Sequence, residues 1–391
     1  MRRSLFFTCW ICLAALFQQP DFVSAQEVKP NAALVAAIDA AVEQQGITAD
    51  GPGVAVMVIQ PGRLLFKKGY GLANLRDNSR ITSQTMFELA SVSKIFTATA
   101  VLILHDRGKL SVHDDVRKHI LELPEYCAGH PIRVSDLLQH VSGLPDYMDF
   151  ENVPARHKDY WVNEDYVPMF AKRKATFPLD FPTGEKYEYN NTNYILLAVV
   201  VERASKKSFG TFLHDEVFVP AGMKHSFVYE NPAAVLKPST KGYIHALGYE
   251  KGKTKAWRET WGTRPAREET LLTVGDGAVW TNLDDMAQWD AALREGKLLK
   301  PETMKLALTP SKTRDGETND YGFGWSVDLD KSGRMNGYGH EGFWGGFETL
   351  YDRQLVTDRT TVLLSNRGNF KTDKFWYTLN DVIEERLSKK K

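Results

Sequence analysis

The sequence predicts an α+β fold in which one sheet is built from both ends of the chain and a mostly helical domain is inserted between them. Three observations carry this. A helix followed by a hairpin opens the folded part, strand-like segments followed by a helix close it, and the long middle shows helical segments without a strand rhythm.

The chain begins with Arg2 and Arg3, an apolar run from Leu5 to Phe17, and the small residues Val23-Ser24-Ala25. That order is expected of a secretory signal peptide cleaved near Ala25, because the apolar run is shorter than the ~20 residues that span a bilayer. Asn31 to Gln45 has apolar residues at helical spacing and stops at Gly46. Val54 to Ile59 reads as a buried strand, Pro61-Gly62 as a turn, and Leu64-Leu65-Phe66 as the returning strand. Ser91 to Arg107 is apolar on nearly every face and ends at Gly108, the pattern of a helix buried inside a domain. Helices are then expected at Val134–His140, Asn193–Ala204 and Phe209–Phe218. Strands are expected at Phe323–Leu329, Phe347–Tyr351 and Thr360–Leu364, joined by loops such as Lys331-Ser332-Gly333. Asp373–Leu387 closes the fold as an amphipathic helix, and Lys389-Lys390-Lys391 reads as a solvated tail. The expected division is a signal peptide over 1–25, the first part of an α/β domain over 26–110, the helical insertion over 111–267, and the second part of the α/β domain over 268–391.

Composition narrows the function. Forty-nine basic and 49 acidic side chains among 391 residues leave no cationic excess for a row of phosphates, which argues against a nucleic-acid binder. A hydrophobic fraction of 43% and nine tryptophans exclude a disordered chain. There are three cysteines, and Cys9 and Cys12 would leave with the signal peptide, so Cys127 would remain without an internal partner. The same cleavage removes Arg2, Arg3 and Asp21.

Three segments carry candidate chemistry. In Ser91-Val92-Ser93-Lys94 a serine at the start of a helix has a lysine one turn on, on the same face. A serine hydroxyl needs a base, and a lysine in an apolar setting can take its proton. The helix start offers N–H donors to a developing oxyanion. Ser388-Lys389-Lys390-Lys391 has the same spacing but lies in the tail; Lys94 lies inside an apolar helix, where an ammonium needs a partner. The second segment is Tyr189-Asn190-Asn191, whose phenol could shuttle a proton and whose Asn191 amide could hold a carbonyl or the lysine. The third is Gly339-His340-Glu341-Gly342, placed between strand-like segments and followed by Phe343-Trp344-Gly345-Gly346, where glycines let a backbone approach a substrate.

Other chemistries lack their marks. There is no GxSxG elbow and no HExxH; His105 and His113 read as a solvated pair rather than a zinc site, and Gly69-Tyr70-Gly71 lacks the rest of a dinucleotide fingerprint.

Taken in order, SxxK, YxN and HxG resemble the signatures of the serine β-lactamase, penicillin-binding protein and serine esterase superfamily. Phe87-Glu88-Leu89-Ala90 before Ser91, Leu137 to Pro145, Gly275-Asp276-Gly277 and Asp284-Asp285-Met286 add to the resemblance, which covers about residues 30–388 and is greatest to the class C β-lactamase-like branch. It implies a β-lactamase/transpeptidase-like fold, an antiparallel sheet with flanking helices beside a helical domain and a cleft between. It also implies that Ser91 is acylated, that Lys94 and Tyr189 transfer protons, and that Asn191 contacts substrate and lysine. The N–H groups of Ser91 and Phe343 would form an oxyanion hole beside Gly342. His140 and Ser142 look reactive on paper, but the resemblance makes their segment structural.

Two departures bear on substrate. His340 stands where many β-lactamases have lysine, and a histidine with an ordinary pKa near ~6.5 is mostly neutral at pH 7. A carboxylate would be held less firmly there, which turns the expectation toward the HxG esterase and D-aminopeptidase-like branches. Trp280 follows the Gly275-Asp276-Gly277 turn where a small residue is usual, and either narrows the cleft or packs the interior. The expected protein is a secreted or periplasmic serine hydrolase without metal or cofactor, acting on small esters, amides or D-amino-acid peptides. A β-lactamase or D-alanyl-D-alanine carboxypeptidase, and a non-catalytic penicillin or peptidoglycan-fragment binder, are the alternatives. Its partner would be a small molecule or short peptide, without nucleic acid or stable membrane insertion; oligomeric state stays open.

Overall fold

The computed structural model describes residues 31–126, 129–149, 160–172, 178–230, 243–251, 255–260 and 271–388. The expected signal peptide, Cys127 and the lysine tail lie outside them.

Helix α1 (Ala32–Gln44) starts where Asn31 caps it, its side chain accepting the Ala33 N–H. Strands β1 (Val54–Ile59) and β2 (Leu64–Tyr70) form the expected hairpin. A ribbon of β3 (Leu72–Asn74) and β4 (Ser79–Arg80) leads to β5 (Phe87–Glu88). One 3-10 turn, Ala90–Val92, then runs into α2 (Ser93–Asp106), whose residues from Ser93 to Leu104 are all buried. An all-round apolar sequence buries its helix all round, as expected.

Next come α3 (Val134–Leu138), α4 (Asn163–Lys172), α5 (Asn191–Ser205), α6 (Phe209–Leu213) and α7 (Val219–Ala221). The single helix expected over Phe209–Phe218 is instead α6 followed by a π-helical turn at His214–Phe218. Short strands follow: β6 (Phe227–Val228), β7 (Tyr249–Lys251), β8 (Trp257–Glu259) and β9 (Val279–Thr281). Helices α8 (Leu283–Arg294) and α9 (Pro301–Ala307) precede β10 (Ser326–Leu329), β11 (Met335–Trp344), β12 (Phe347–Gln354) and β13 (Arg359–Ser365). Helix α10 (Thr372–Ser388) ends the described chain.

The main sheet has the order β10-β11-β12-β13-β1-β2, with every neighbouring pair antiparallel. Front and back of the chain meet at β1 and β13, where Val54 faces Ser365 and Ile59 faces Thr360. Both faces are covered, so β1 is apolar throughout rather than alternating. Val54, Val56, Val58 and Leu363 pack under α1 and α10. Ala55, Met57, Ile59, Val362 and Leu364 belong to the larger core, which takes in α2, α5 and α8. A second, small sheet, β5-β9-β6, lies where β5 delivers the chain to the 3-10 turn. This is the β-lactamase/transpeptidase-like fold.

Candidate active site

Ser91 reaches the cleft through a sharp turn. Ala90 has φ of 49°, a left-handed conformation that bends the chain from β5 into the 3-10 turn and leaves Ser91 half-exposed above the buried Val92, Ser93 and Lys94. Ser93 Oγ accepts the Val279 N–H at 3.1 Å, tying α2 to β9.

Lys94 is fully buried, yet its Nζ has three oxygen neighbours: Ser91 Oγ at 3.0 Å, Asn191 Oδ1 at 2.9 Å and the Asp276 carbonyl at 2.9 Å. It also lies 4.9 Å from the centre of the Tyr189 ring and 5.6 Å from that of Tyr194. The Asn191 and Asp276 oxygens only accept, so they fix two hydrogens of the lysine. The third direction, toward Ser91, holds either a hydrogen or a lone pair. That arrangement lets a proton pass between Ser91 and Lys94 without moving either side chain.

Asn191 opens α5, and its own orientation is fixed from behind. Its backbone N–H and its Nδ2 donate to Asp146 Oδ2 at 2.9 and 3.3 Å, which turns Oδ1 toward Lys94. Tyr189 is 39% exposed, with its ring 4.5 Å from that of His140. His140 is buried: its Nδ1 accepts the Asn190 N–H at 3.1 Å and its carbonyl accepts the Glu188 N–H at 3.0 Å. Ser142 Oγ donates to Asn193 Oδ1 at 2.6 Å. Both residues brace the loop that carries Tyr189.

The third motif was expected between strands; it is itself strand β11, the neighbour of β12. His340 sits there buried. Its Nδ1 lies 2.6 Å from the Glu341 carbonyl and its Nε2 2.9 Å from Tyr321 Oη. A carbonyl only accepts, so Nδ1 carries the hydrogen and Nε2 accepts the phenol O–H. Burial pushes the imidazole down to about 3, and Lys94 adds to the effect. The ring is therefore neutral over a much wider pH range than an ordinary histidine. At Gly342 an added Cβ would lie 2.4 Å from both the Leu89 carbonyl and Thr349 Oγ1, so only glycine lets β11 close on the turn that holds Ser91. Phe343 follows at the rim, 59% exposed.

The structure thus gathers Ser91, Tyr189, Asn191, His340, Gly342 and Phe343 around one cavity of about 1020 Å³, with Lys94 buried behind Ser91 and Asn191. Sequence reasoning missed several others. Tyr321, the partner of His340, lies outside any motif. Asp276 was visible only as part of a Gly-Asp-Gly turn; its carbonyl serves Lys94, while its carboxylate accepts the Tyr147 O–H at 2.8 Å and is pushed up by burial. Trp280 is fully buried, with Phe227, His245 and Phe347 ring centres 6.2, 5.7 and 5.6 Å away, so it packs the interior while bordering the cavity. Among the described residues no group of three or more His, Cys, Asp or Glu could hold a metal ion, and no helix is long and apolar enough to cross a membrane.

Known proteins share this architecture. A family model described as Beta-lactamase matches residues 38–382. The chain is 31% identical over 319 residues to Penicillin-binding protein 4* of Bacillus subtilis, covering 80% of this chain and 67% of that one. It is 29% identical over 292 residues to a D-aminopeptidase of Gluconobacter oxydans, covering 74% of this chain and 51%, about half, of that one. The D-amino acid amidase of Ochrobactrum anthropi superposes with a TM-score of 0.69 at 20% identity, over 90% of this chain and 99% of that one, a likeness of fold. With its motifs in order and a match over nearly its whole length, the chain belongs to the Beta-lactamase family of serine hydrolases.

Proposed function

We propose that the protein is a secreted hydrolase that forms an acyl-enzyme at Ser91 and acts on small esters, amides or short peptides containing D-amino acids. The observation that carries this reading is the Lys94 Nζ position, fixed by two acceptors and aimed at Ser91 Oγ at 3.0 Å. Ser91 Oγ attacks the substrate carbonyl as its proton passes to the lone pair that Lys94 Nζ, as the amine, turns toward it. The oxyanion is held by the N–H groups of Ser91 and Phe343. Tyr189 and Lys94 return the proton to the leaving alcohol or amine, and water then releases the acyl group by the reverse path. Asn191 keeps the lysine in place and contacts the substrate.

The neutral His340 supports the substrate preference, since a carboxylate gains no full charge partner from it. The D-aminopeptidase among the relatives supports the peptide and amide part. The order of charged, apolar and small residues over 2–25 supports export. The test is to treat the protein and its Ser91→Ala variant with a fluorophosphonate probe, a short-chain nitrophenyl ester, a D-alanine anilide and a chromogenic cephalosporin. Label and turnover that vanish with Ser91→Ala are expected, with the ester or anilide faster than the cephalosporin. No Ser91-dependent label or turnover would leave a binding protein; a faster cephalosporin would make it a β-lactamase.

A further inference from the structure

Glu88 ends β5 three residues before Ser91 and is buried. Its two oxygens are used separately. Oε2 accepts the Ala90 N–H at 2.8 Å, and Oε1 accepts the Ala278 N–H at 2.9 Å. Both alanines have left-handed backbones, φ of 49° and 74°, a conformation that a residue with a Cβ enters only when its surroundings hold it. Ala90 immediately precedes Ser91. Ala278 lies two residues after Asp276, whose carbonyl fixes Lys94. One side chain therefore ties together the turn that presents the nucleophile and the loop that orients its base.

We propose that the Glu88 carboxylate is a positioning residue for acylation: by accepting the N–H groups of Ala90 and Ala278 it holds Ser91 Oγ and Lys94 Nζ in register. This rests on the hydrolase reading above. Glu88 acts through the backbone and not on the substrate, so it governs the rate of the chemical step more than binding. An amide in its place has one acceptor and turns an N–H₂ toward the other alanine N–H, so one arm of the clip is lost.

The charge matters for the same reason. A protonated carboxyl gives up part of its accepting capacity. Burial pushes the Glu88 carboxyl up to about 7; the two N–H donors and Lys94 oppose this, and Asp276 adds to it. Strands β11 and β12 meet this turn with the uncharged Gly342 and Thr349, the latter donating to the Leu89 carbonyl at 2.6 Å. Ionised Glu88 thus prevails only above about neutral pH, and its contribution fades as pH falls through that range.

The experiment measures the second-order rate and half-saturating concentration of fluorophosphonate labelling for the protein, Glu88→Gln and Glu88→Gln/Ala90→Gly, from pH 5 to 9, with thermal melts of each. Glu88→Gln is expected to slow maximal labelling about 10- to 100-fold at pH 8.5 with little change in half-saturation, the scale of a small misplacement of reacting atoms. The ratio of wild-type to variant rates should shrink toward one at pH 5. Glycine takes a left-handed backbone freely, so Ala90→Gly in the variant should return at least about threefold of the rate. Should Glu88→Gln fail to fold, Glu88→Gln/Ala90→Gly/Ala278→Gly must fold and take label. Labelling of Glu88→Gln at the wild-type rate, a ratio independent of pH, or no gain from glycine would overturn the proposal. A wild type that takes no label overturns the hydrolase reading itself, and this inference with it.

Discussion

A histidine held between a phenol and a carbonyl gains a charge only by reversing one of its hydrogen bonds. Protonation of His340 at Nε2 would oblige the Tyr321 hydroxyl to turn and accept, and would place a cation inside a buried site that Lys94 already makes unfavourable for one. Its folded pKa, about 3, lies below the ordinary ~6.5 of the unfolded chain. The folded state therefore binds fewer protons, and stability drawn from neutral His340 is full above about 6.5 and lost as pH falls toward 3. Replacing it with asparagine should flatten part of the fall in melting temperature between pH 7 and 4; a profile parallel to wild type would contradict this. Ser91, Lys94, Tyr189, Asn191 and His340 were legible because each stands in a short spaced motif. Tyr321 was not, since a tyrosine between Asp320 and Gly322 has no local mark, and its partner is 19 residues away on β11. Glu88 was legible as text beside Ser91, but its bond to Ala278 spans 190 positions and needed the fold.

Strand β11 shows why elements are harder to read than motifs. Its run Met335 to Trp344 has glycine at 337, 339 and 342, and glycine argues against a strand by propensity. Here the glycines answer close approaches: an added Cβ would lie 2.7 Å from the Arg353 carbonyl at Gly337 and 2.3 Å from the Tyr351 carbonyl at Gly339. Gly342 faces the Ser91 turn instead. Gly342→Ala should force β11 off that turn and lower kcat/KM for an ester about 100-fold while the protein still melts cooperatively; activity within a few-fold of wild type would show that the turn yields. The helices read better. α1 and α10 follow apolar periodicity and α2 its nearly unbroken apolar run, whereas α4 was hidden by Pro168 within it. α8 had its signal in Asn282, whose side chain accepts the Asp285 N–H at 2.9 Å, ahead of an acidic first turn.

At the scale of the molecule, the sheet joins distant parts of the chain, and its central strands β1 and β13 are buried throughout. The apolar β1 predicted burial on both sides, and the structure gives it two cores. What no periodicity could supply was the pairing order, since β13 inserts between β12 and β1 by contacts made across the whole chain. That insertion has a consequence during synthesis. Val54 pairs with Ser365, so about 300 residues must be added after β1 before its second neighbour exists, which at about 5–20 residues per second takes about 15–60 s. Through that interval Val-Ala-Val-Met-Val-Ile has an open hydrogen-bonding edge, uncharged and without proline, the kind of segment that seeks a partner on another chain. A chain ended at residue 358, before β13, should therefore collect in inclusion bodies or on a holding chaperone where the full chain stays soluble; a soluble, cooperatively melting truncation would contradict this. The ribosome, on this view, releases a protein whose central strand has waited nearly the whole of translation for its last neighbour.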